Sequence, residues 1–227
     1  PGAEPAPALR PALRDGPPPA SFAQRRLWLL HRIDPSDTSL RIAQAARLRG
    51  RLDREALERS LAEIEQRHEV LRITFTPADG EPMPRIGPAR RALLEPIELP
   101  IGPGEEPAAA VRRWLAAWSD RPFDLERGPI WRAALVPMGP HEHVLAVCVH
   151  HIAADAASMR VLREELCALY GALARGQPSP LGPLPVQYAD HAAWQRRRLT
   201  ARAADAHLAY WREQLAGAPE LELPLCA

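Results

Sequence analysis

EHVLAVCVHHIAADAASM (residues 142–159) joins the most apolar run of the chain to two adjacent histidines and an aspartate. The run from 142 to 150 has the length and composition of a β-strand buried near the centre of a sheet. Apolar residues then recur at helical spacing over 157–174, which predicts an amphipathic helix. Because Asp155 stands where the helix N-cap belongs, the stretch predicts a strand, a short turn and a capped helix.

The rest of the chain alternates between strand and helix patterns, which predicts an α/β fold, a sheet covered by helices. Ser21 and Gln24 have capping-box spacing, and Asp53 precedes a second amphipathic run, so both positions are expected to begin helices. The segment PADGEPMP at 77–84 is typical of a turn. Further strands are predicted at 42–49, 70–75, 84–87, 94–99 and 130–136, and further helices at 105–119, 186–199 and 203–216.

Composition restricts the possible function classes. The 227 residues are 46% hydrophobic and 25% charged, as in an ordinary globular protein. The net charge is +1, from 29 basic and 28 acidic residues, so no nucleic-acid or membrane partner is expected. No apolar run long enough to span a bilayer occurs, and no signal sequence opens the chain, which favours a cytoplasmic protein.

Two further features limit the interpretation. Cys148, Cys167 and Cys226 are odd in number and widely spaced, which predicts neither a disulfide framework nor a zinc site. Residues 1–20 contain seven prolines without a helical or strand period, and we interpret them as an extended linker.

The residues alone leave three interpretations of the histidine pair. Because side chains alternate across a strand, His150 and His151 should point to opposite faces, one buried and one towards a cleft. In a structural interpretation, His150 is a satisfied core histidine and Asp155 only caps the helix. In a metal interpretation, adjacent histidines would diverge too far to share an ion, and His141 and His143 lack further ligands to complete a site.

In a catalytic interpretation, one neutral imidazole accepts a proton from a nucleophile near pH 7. A backbone N–H at the start of the following helix would then face the developing oxyanion. A strand that ends at a helix N-terminus provides both groups within a few residues. The pattern is short, and by itself it does not separate this interpretation from the structural one.

Five segments, taken together, occur in the order and spacing of a known family. They are SFAQRRLWLLHRID (21–34), RHEVLRITF (67–75), PFDLERGPIWRAAL (122–135), VHHIAADAASM (149–159) and YADHAAWQRRRL (188–199). They closely resemble core motifs of the condensation domains of nonribosomal peptide synthetases. The resemblance extends from Ser21 to about residue 215.

The resemblance implies a chloramphenicol-acetyltransferase-like α/β fold with a mixed sheet covered by helices. Residues 21–227 would form the N-terminal subdomain of a V-shaped domain whose C-terminal lobe is absent here, and 1–20 would follow an upstream carrier domain. The implied reaction joins an acyl or peptidyl thioester on the upstream donor carrier to an aminoacyl acceptor on the downstream carrier, forming an amide. No cofactor would bind directly, since the phosphopantetheine arms of the carriers bring the thioesters.

The resemblance also assigns residues. His151 matches the catalytic histidine, whereas His150 and Asp155 match residues that hold the loop, the aspartate through an ion pair with an arginine. Ala156 stands where the family has glycine, and alanine would be strained there if the site required a positive φ. Further candidates for a structural or substrate-proximal role are Arg67, Arg72 and Ser158.

Two alternative functions stay open. Ala156 motivates a catalytically impaired, condensation-like module that docks a carrier or recruits a tailoring enzyme. Related acyltransferases with the HHxxxD motif form esters with alcohols, so the acceptor nucleophile could be a hydroxyl group instead of an amine.

Overall fold

The computed structural model describes residues 8–90, 94–102, 104–199 and 201–219, without the side chains of 201–203 and 206. Cys226 lies outside this part of the chain. The helices are α1 Phe22–Ile33, α2 Arg54–Arg67, α3 Pro107–Ser119, α4 Ala156–Leu173, α5 Tyr188–Arg198 and α6 Ala201–Gln214. The strands are β1 Arg41–Arg49, β2 Ile73–Ala78, β3 Glu81–Ile86, β4 Leu94–Pro96, β5 Trp131–Gly139 and β6 Glu142–His150.

The main sheet is mixed and has the strand order β1–β6–β5–β4. β6 pairs antiparallel with both β1 and β5, and β4 pairs parallel with β5. β6, the apolar run before the two histidines, is thus an inner strand, as predicted, and its residues 144–150 are all buried. Both faces of β6 are packed in this structure, which is why its apolar residues run almost without interruption.

Helices cover both faces of this sheet. On one face, α2 and α4 pack against β5 and β6 through a cluster that includes Leu61, Ile64, Trp131, Val149 and Leu169. On the other face, a second cluster joins Trp118 of α3 and Phe123 to small residues of β5 and β6. The end of β6 therefore lies between two separately packed layers, and successive residues there face different layers.

The helix starts follow the sequence signals. The Ser21 hydroxyl accepts a hydrogen bond from the Gln24 N–H, and the Gln24 side-chain oxygen accepts one from the Ser21 N–H, which forms the predicted capping box. Asp53 caps α2 by accepting from the Ala56 N–H. These caps satisfy N–H groups that have no partner within the helix, so they fix where α1 and α2 begin.

β2 and β3 form a separate hairpin, where two sequence predictions were wrong in detail. Glu69–Arg72 form a 3₁₀ helix, so the strand predicted at 70–75 begins only at Ile73. Leu71 is buried like Ile73 and Phe75, and the apolar alternation therefore continued across the change of backbone structure. Residues 77–84 belong mostly to the two strands, and the turn is confined to Asp79 and Gly80, both with positive φ.

Residues 8–20 contain no helix or strand, and they contact the folded body. The Ala12 N–H donates to the Asp190 carboxylate at 3.0 Å, and Arg14 reaches both Asp190 (3.2 Å) and Glu69 (3.0 Å). Asp190 is 3% exposed. The segment thus lies along the N-terminal end of α5. Within the described residues, no helix combines the length and hydropathy needed to cross a membrane.

Candidate functional site

The end of β6 places the two histidines in different environments. His150 is 2% exposed, whereas His151 is exposed. The His150 N–H donates to the Ile130 carbonyl at 2.9 Å, and the His151 N–H donates to the Leu40 carbonyl at 2.7 Å. Because both backbones are hydrogen-bonded to segments beside the neighbouring strands, the divergence of the two rings is a fixed feature of the sheet edge.

The His150 ring packs inside the protein. Its Nδ1 accepts a hydrogen bond from the Ile152 N–H at 3.1 Å, and the ring meets His31 and Phe123 edge to face, at centroid distances of 5.4 and 6.1 Å. Burial, with smaller electrostatic contributions from His31, His151 and Arg41, lowers the pKa of His150 to about 3. His150 is therefore neutral near pH 7 and holds the loop.

The turn after His151 is closed by a capping box. The Asp155 carboxylate accepts from the Ser158 hydroxyl at 2.6 Å and from the Ser158 N–H at 2.8 Å, and the Asp155 N–H donates back to the hydroxyl at 3.2 Å. The side-chain and then the backbone hydrogen bond of Ser158 lower the pKa of Asp155. Within the described residues, the ion pairs do not include Asp155, so the arginine partner implied by the resemblance stays a prediction.

Ala156 is the first residue of α4, immediately after the capping aspartate. Among the described residues, Asp79 is the only non-glycine residue with a positive φ, so Ala156 has an ordinary backbone conformation. The strain considered for alanine at this position therefore does not occur in this structure. Its N–H group belongs to the first turn of the helix, where N–H groups have no intrahelical acceptor.

His151 lines a hollow of about 550 Å³, which we call the His151 groove. Its walls come from the end of β6, from α1 and α4, and from the segment leading into α5. Most of the lining is apolar, and it includes Leu27, Val149, Met159, Leu162 and Leu184. The polar side chains along it include His68, His151, Asp155, Ser158, Tyr188 and His191. An apolar hollow with a few converging polar groups is the usual form of a small-molecule site.

His68 is a groove residue that was not among the candidate site residues; the sequence favours solvent exposure or a local ion pair for it over a substrate contact. It follows α2, and its Nε2 lies 2.6 Å from Oε2 of Glu165 on α4, while Arg67 Nε donates to Oε1 at 2.9 Å. Burial raises the pKa of Glu165, but the hydrogen bonds from His68 and Arg67 outweigh this effect, and the pKa is lowered overall. The carboxylate is thus held in its ionised form.

The two candidate arginines lie elsewhere. Arg67 also donates to the Gly182 carbonyl, and Arg72 donates to the Gly87 carbonyl. Neither side chain lines the His151 groove. In the described residues, Arg67 therefore fastens the loop at Gly182 to α2, and Arg72 fastens the segment after β3 to the start of the hairpin.

Tyr188 and His191 were also not among the candidate site residues; Tyr188 matches a family motif to which the resemblance gives a mainly structural role. The Tyr188 hydroxyl lies 3.0 Å from the Ser21 hydroxyl, and the His191 ring lies between those of Tyr188 and Trp194, at 5.3 and 5.8 Å. A signal was present, because positions 188, 191 and 194 recur every three residues and so share one face of α5. No cluster of three or more potential metal ligands occurs within the described residues, the groove included.

Comparisons with known proteins identify the class. The family model "Condensation domain" matches residues 16–226. One of the linear gramicidin synthase proteins of Brevibacillus parabrevis is 46% identical over 215 residues, which are 94% of this chain and 3% of that protein.

Solved structures give the same result. The X-domain in the complex of the X-domain and OxyB from teicoplanin biosynthesis superposes with a TM-score of 0.83 at 38% identity, over 98% of this chain and 49% of that one. The first condensation domain of the calcium-dependent antibiotic synthetase, in complex with a substrate analogue, gives 0.77 at 27% identity, over 91% and 49%.

The chain belongs to the condensation-domain family of nonribosomal peptide synthetases. Its fold is the expected chloramphenicol-acetyltransferase-like α/β arrangement with a mixed sheet. It spans about half the length of these solved chains and a few per cent of the curated synthetase.

Proposed function

We propose that the chain is the N-terminal half of a condensation domain that forms amide bonds, with His151 as its catalytic imidazole. The observation that carries this proposal is the placement of His151 on an apolar groove of about 550 Å³, next to a His150 that is sealed and neutral. Of the two histidines, only His151 can meet a substrate. The remaining half of the domain and both carriers are part of the proposal.

The proposed reaction is the attack of an acceptor amine on the thioester carbonyl of the donor. The new C–N bond forms as the C–S bond breaks, and the amine loses a proton while the arm of the donor carrier leaves as a thiol. His151 accepts this proton or holds the amine in position, and the proton returns to the thiolate. An imidazole is suited to both steps near neutral pH.

The start of α4 provides the second chemical element. The N–H groups of Ala156 and Ala157 lie in the first helical turn, whereas that of Ser158 is already bonded to Asp155. Free N–H groups at a helix N-terminus attract negative charge. We therefore assign them to the carbonyl oxygen as it becomes negative, and this role needs the backbone of residue 156 but no glycine.

The phosphopantetheine arms of the donor and acceptor carriers would bring the substrates into the His151 groove. Its apolar lining suits an acyl chain or amino-acid side chain, and the thioester itself supplies the activated carbonyl. In this proposal the protein holds no cofactor of its own, and the second lobe closes the groove into a channel.

The test uses the intact condensation domain that contains this chain, with both carriers loaded. His151→Ala is expected to lower amide formation about 100- to 10,000-fold, the usual contribution of a general acid–base group. His141→Ala is a matched control, because this exposed histidine lies in the β5–β6 turn at the other end of β6. Full turnover by His151→Ala would exclude the proposed role.

A second function is supported by the likeness to the X-domain that was solved in complex with OxyB. In this alternative, the chain belongs to a docking module that recruits a tailoring enzyme, and Ala156 marks the loss of chemistry. A loaded-carrier assay with amine and hydroxyl acceptors in parallel separates the possibilities. Amide product supports condensation, ester product supports the related acyltransferase activity, and the absence of both supports docking.

A further inference from the structure

We propose that His68 contacts the substrate, and that its Nδ1 accepts a hydrogen bond from an N–H group of the carrier-bound substrate in the His151 groove. This inference rests on the proposed function. It adds a positioning contact that the reaction described above does not use.

The ring of His68 is held by Glu165, whose other carboxylate oxygen is held by Arg67. Glu165 Oε2 lies 2.6 Å from His68 Nε2, and Glu165 Oε1 accepts from Arg67. The side chains of His68 and Glu165 are 21% and 12% exposed, so neither is free to swing into solvent. A ring fixed at one nitrogen by a second helix is preorganised to present its remaining edge to the groove that it lines.

The partner carboxylate decides which nitrogen is free. Glu165 is held ionised beside the permanently charged Arg67, so it can only accept hydrogen bonds. His68 must then donate its Nε2–H, and in the neutral ring the lone pair lies on Nδ1. In the described residues, His68 Nδ1 has no hydrogen-bond partner and is not among the sealed, unpaired nitrogens.

Several other polar groups on the groove already have partners. The Ser158 hydroxyl and N–H bond to Asp155 Oδ1, Tyr188 bonds to Ser21, Gln187 bonds to the backbone of Glu69 and Arg67, and Arg26 can only donate. The His191 ring lies between the rings of Tyr188 and Trp194, and its Nδ1 is buried without a partner in the described part of the chain. Asp155 Oδ2 is a further acceptor, but it belongs to an exposed side chain, whereas the His68 ring is mostly buried and held by Glu165.

The class of ligand follows from this acceptor. It would take the N–H of an amide in the phosphopantetheine arm or acyl chain, or the amine of the acceptor residue. Both are N–H groups tethered to a carrier. An amide of the arm is present before the carrier is loaded, whereas the amine arrives with the aminoacyl group.

His68→Gln is the informative variant, because the glutamine amide can still donate to Glu165 but has no acceptor in the place of Nδ1. In the intact domain, we expect the KM for a loaded carrier to rise about threefold to tenfold, the net value of one hydrogen bond, with kcat less affected. His68→Asn, whose amide oxygen falls near Nδ1, should recover part of the loss. His141→Asn is the matched control and should behave as wild type.

Binding of carriers that bear the bare arm, compared with aminoacylated carriers, separates the two sources. Weaker binding of both by His68→Gln indicates an arm amide, and weaker binding of only the aminoacylated form indicates the amine; either supports the inference. Wild-type kinetics and binding in His68→Gln would overturn it, and if His151→Ala were still inactive, the proposed function would stand.

A measurement on the unaltered protein covers the case in which His68→Gln fails to fold. Nitrogen NMR should show the His68 ring protonated at Nε2, and the Nδ1 resonance should move when the loaded carrier is added. An Nε2 without its proton, or an Nδ1 resonance that stays unchanged at saturating carrier, would contradict the inference.

Discussion

The two sides of the β6 terminus carry the same residue type and behave in opposite ways. On the inner side, His150 is enclosed by His31 and Phe123, with its pKa lowered to about 3. On the outer side, one residue later, His151 stands exposed on the groove. The strand alternation separates the two rings, and the layers packed on each face then decide which ring is structural and which is available to a substrate.

Removing each ring in turn tests whether the two sides of the β6 terminus differ. His150→Ala should lower the free energy of unfolding by about 2–4 kcal/mol, as for other large-to-small changes in a packed interior. His151→Ala should change it by less than about 0.5 kcal/mol, because the side chain is exposed. Denaturant unfolding of both variants measures this, and equal losses would show that the two sides are not different environments.

The second test uses pH. The pKa of His150 in the folded state is about 3, below its ordinary value of 6.5, so the unfolded chain binds the extra proton. The stability associated with a neutral His150 is therefore complete above pH 6.5 and is lost as the pH falls towards 3. Between pH 6.5 and 4.5, wild type should lose about 2–3 kcal/mol more than His150→Asn, which keeps an acceptor for Ile152 N–H but does not titrate.

Urea unfolding at several pH values measures this difference, and carboxylates shared by both proteins cancel from it. If the free energies of unfolding of wild type and His150→Asn changed with pH in parallel, His150 would not be buried in its neutral form.

A smaller effect is expected at the turn between the two histidines and α4. Asp155→Ala removes the cap that Ser158 N–H and hydroxyl donate to, and should cost about 1 kcal/mol. Asp155→Asn keeps a capping oxygen and should cost less than half of that. Thermal or denaturant unfolding distinguishes them, and a loss as large for Asn as for Ala would mean that the charge, and not the cap, holds this turn.

The smallest effect concerns Ala156. Because its backbone is helical and unstrained, Ala156→Gly should cost less than about 1 kcal/mol of stability and leave amide formation within about twofold. The loaded-carrier assay measures the rate. A large gain in rate with glycine would show that alanine has impaired the site, and would favour the docking function.

Local signals in the sequence predicted most of the elements. The capping pairs at Ser21 and Asp155 fixed the starts of α1 and α4, and the apolar run predicted β6 as an inner strand. The prediction failed at 69–72, where a 3₁₀ helix precedes β2, because the burial alternates in the same way in both structures. Periodicity reports which side chains are buried and is less sensitive to the hydrogen bonds of the backbone.

By itself, the sequence determined the α/β class, the inner strand, the capped helix after it, the divergence of His150 and His151, and the family resemblance. Each of these conclusions depends on short segments of the chain. Within a segment, the spacing of the residues determines which face of a strand or helix each side chain is on and where the helix begins. Packing between distant elements determines which histidine is enclosed, and it brings His68, Tyr188 and His191 to the groove beside His151. Burial and the Glu165–His68 contact join residues about a hundred positions apart, and no local pattern records which distant elements pack together.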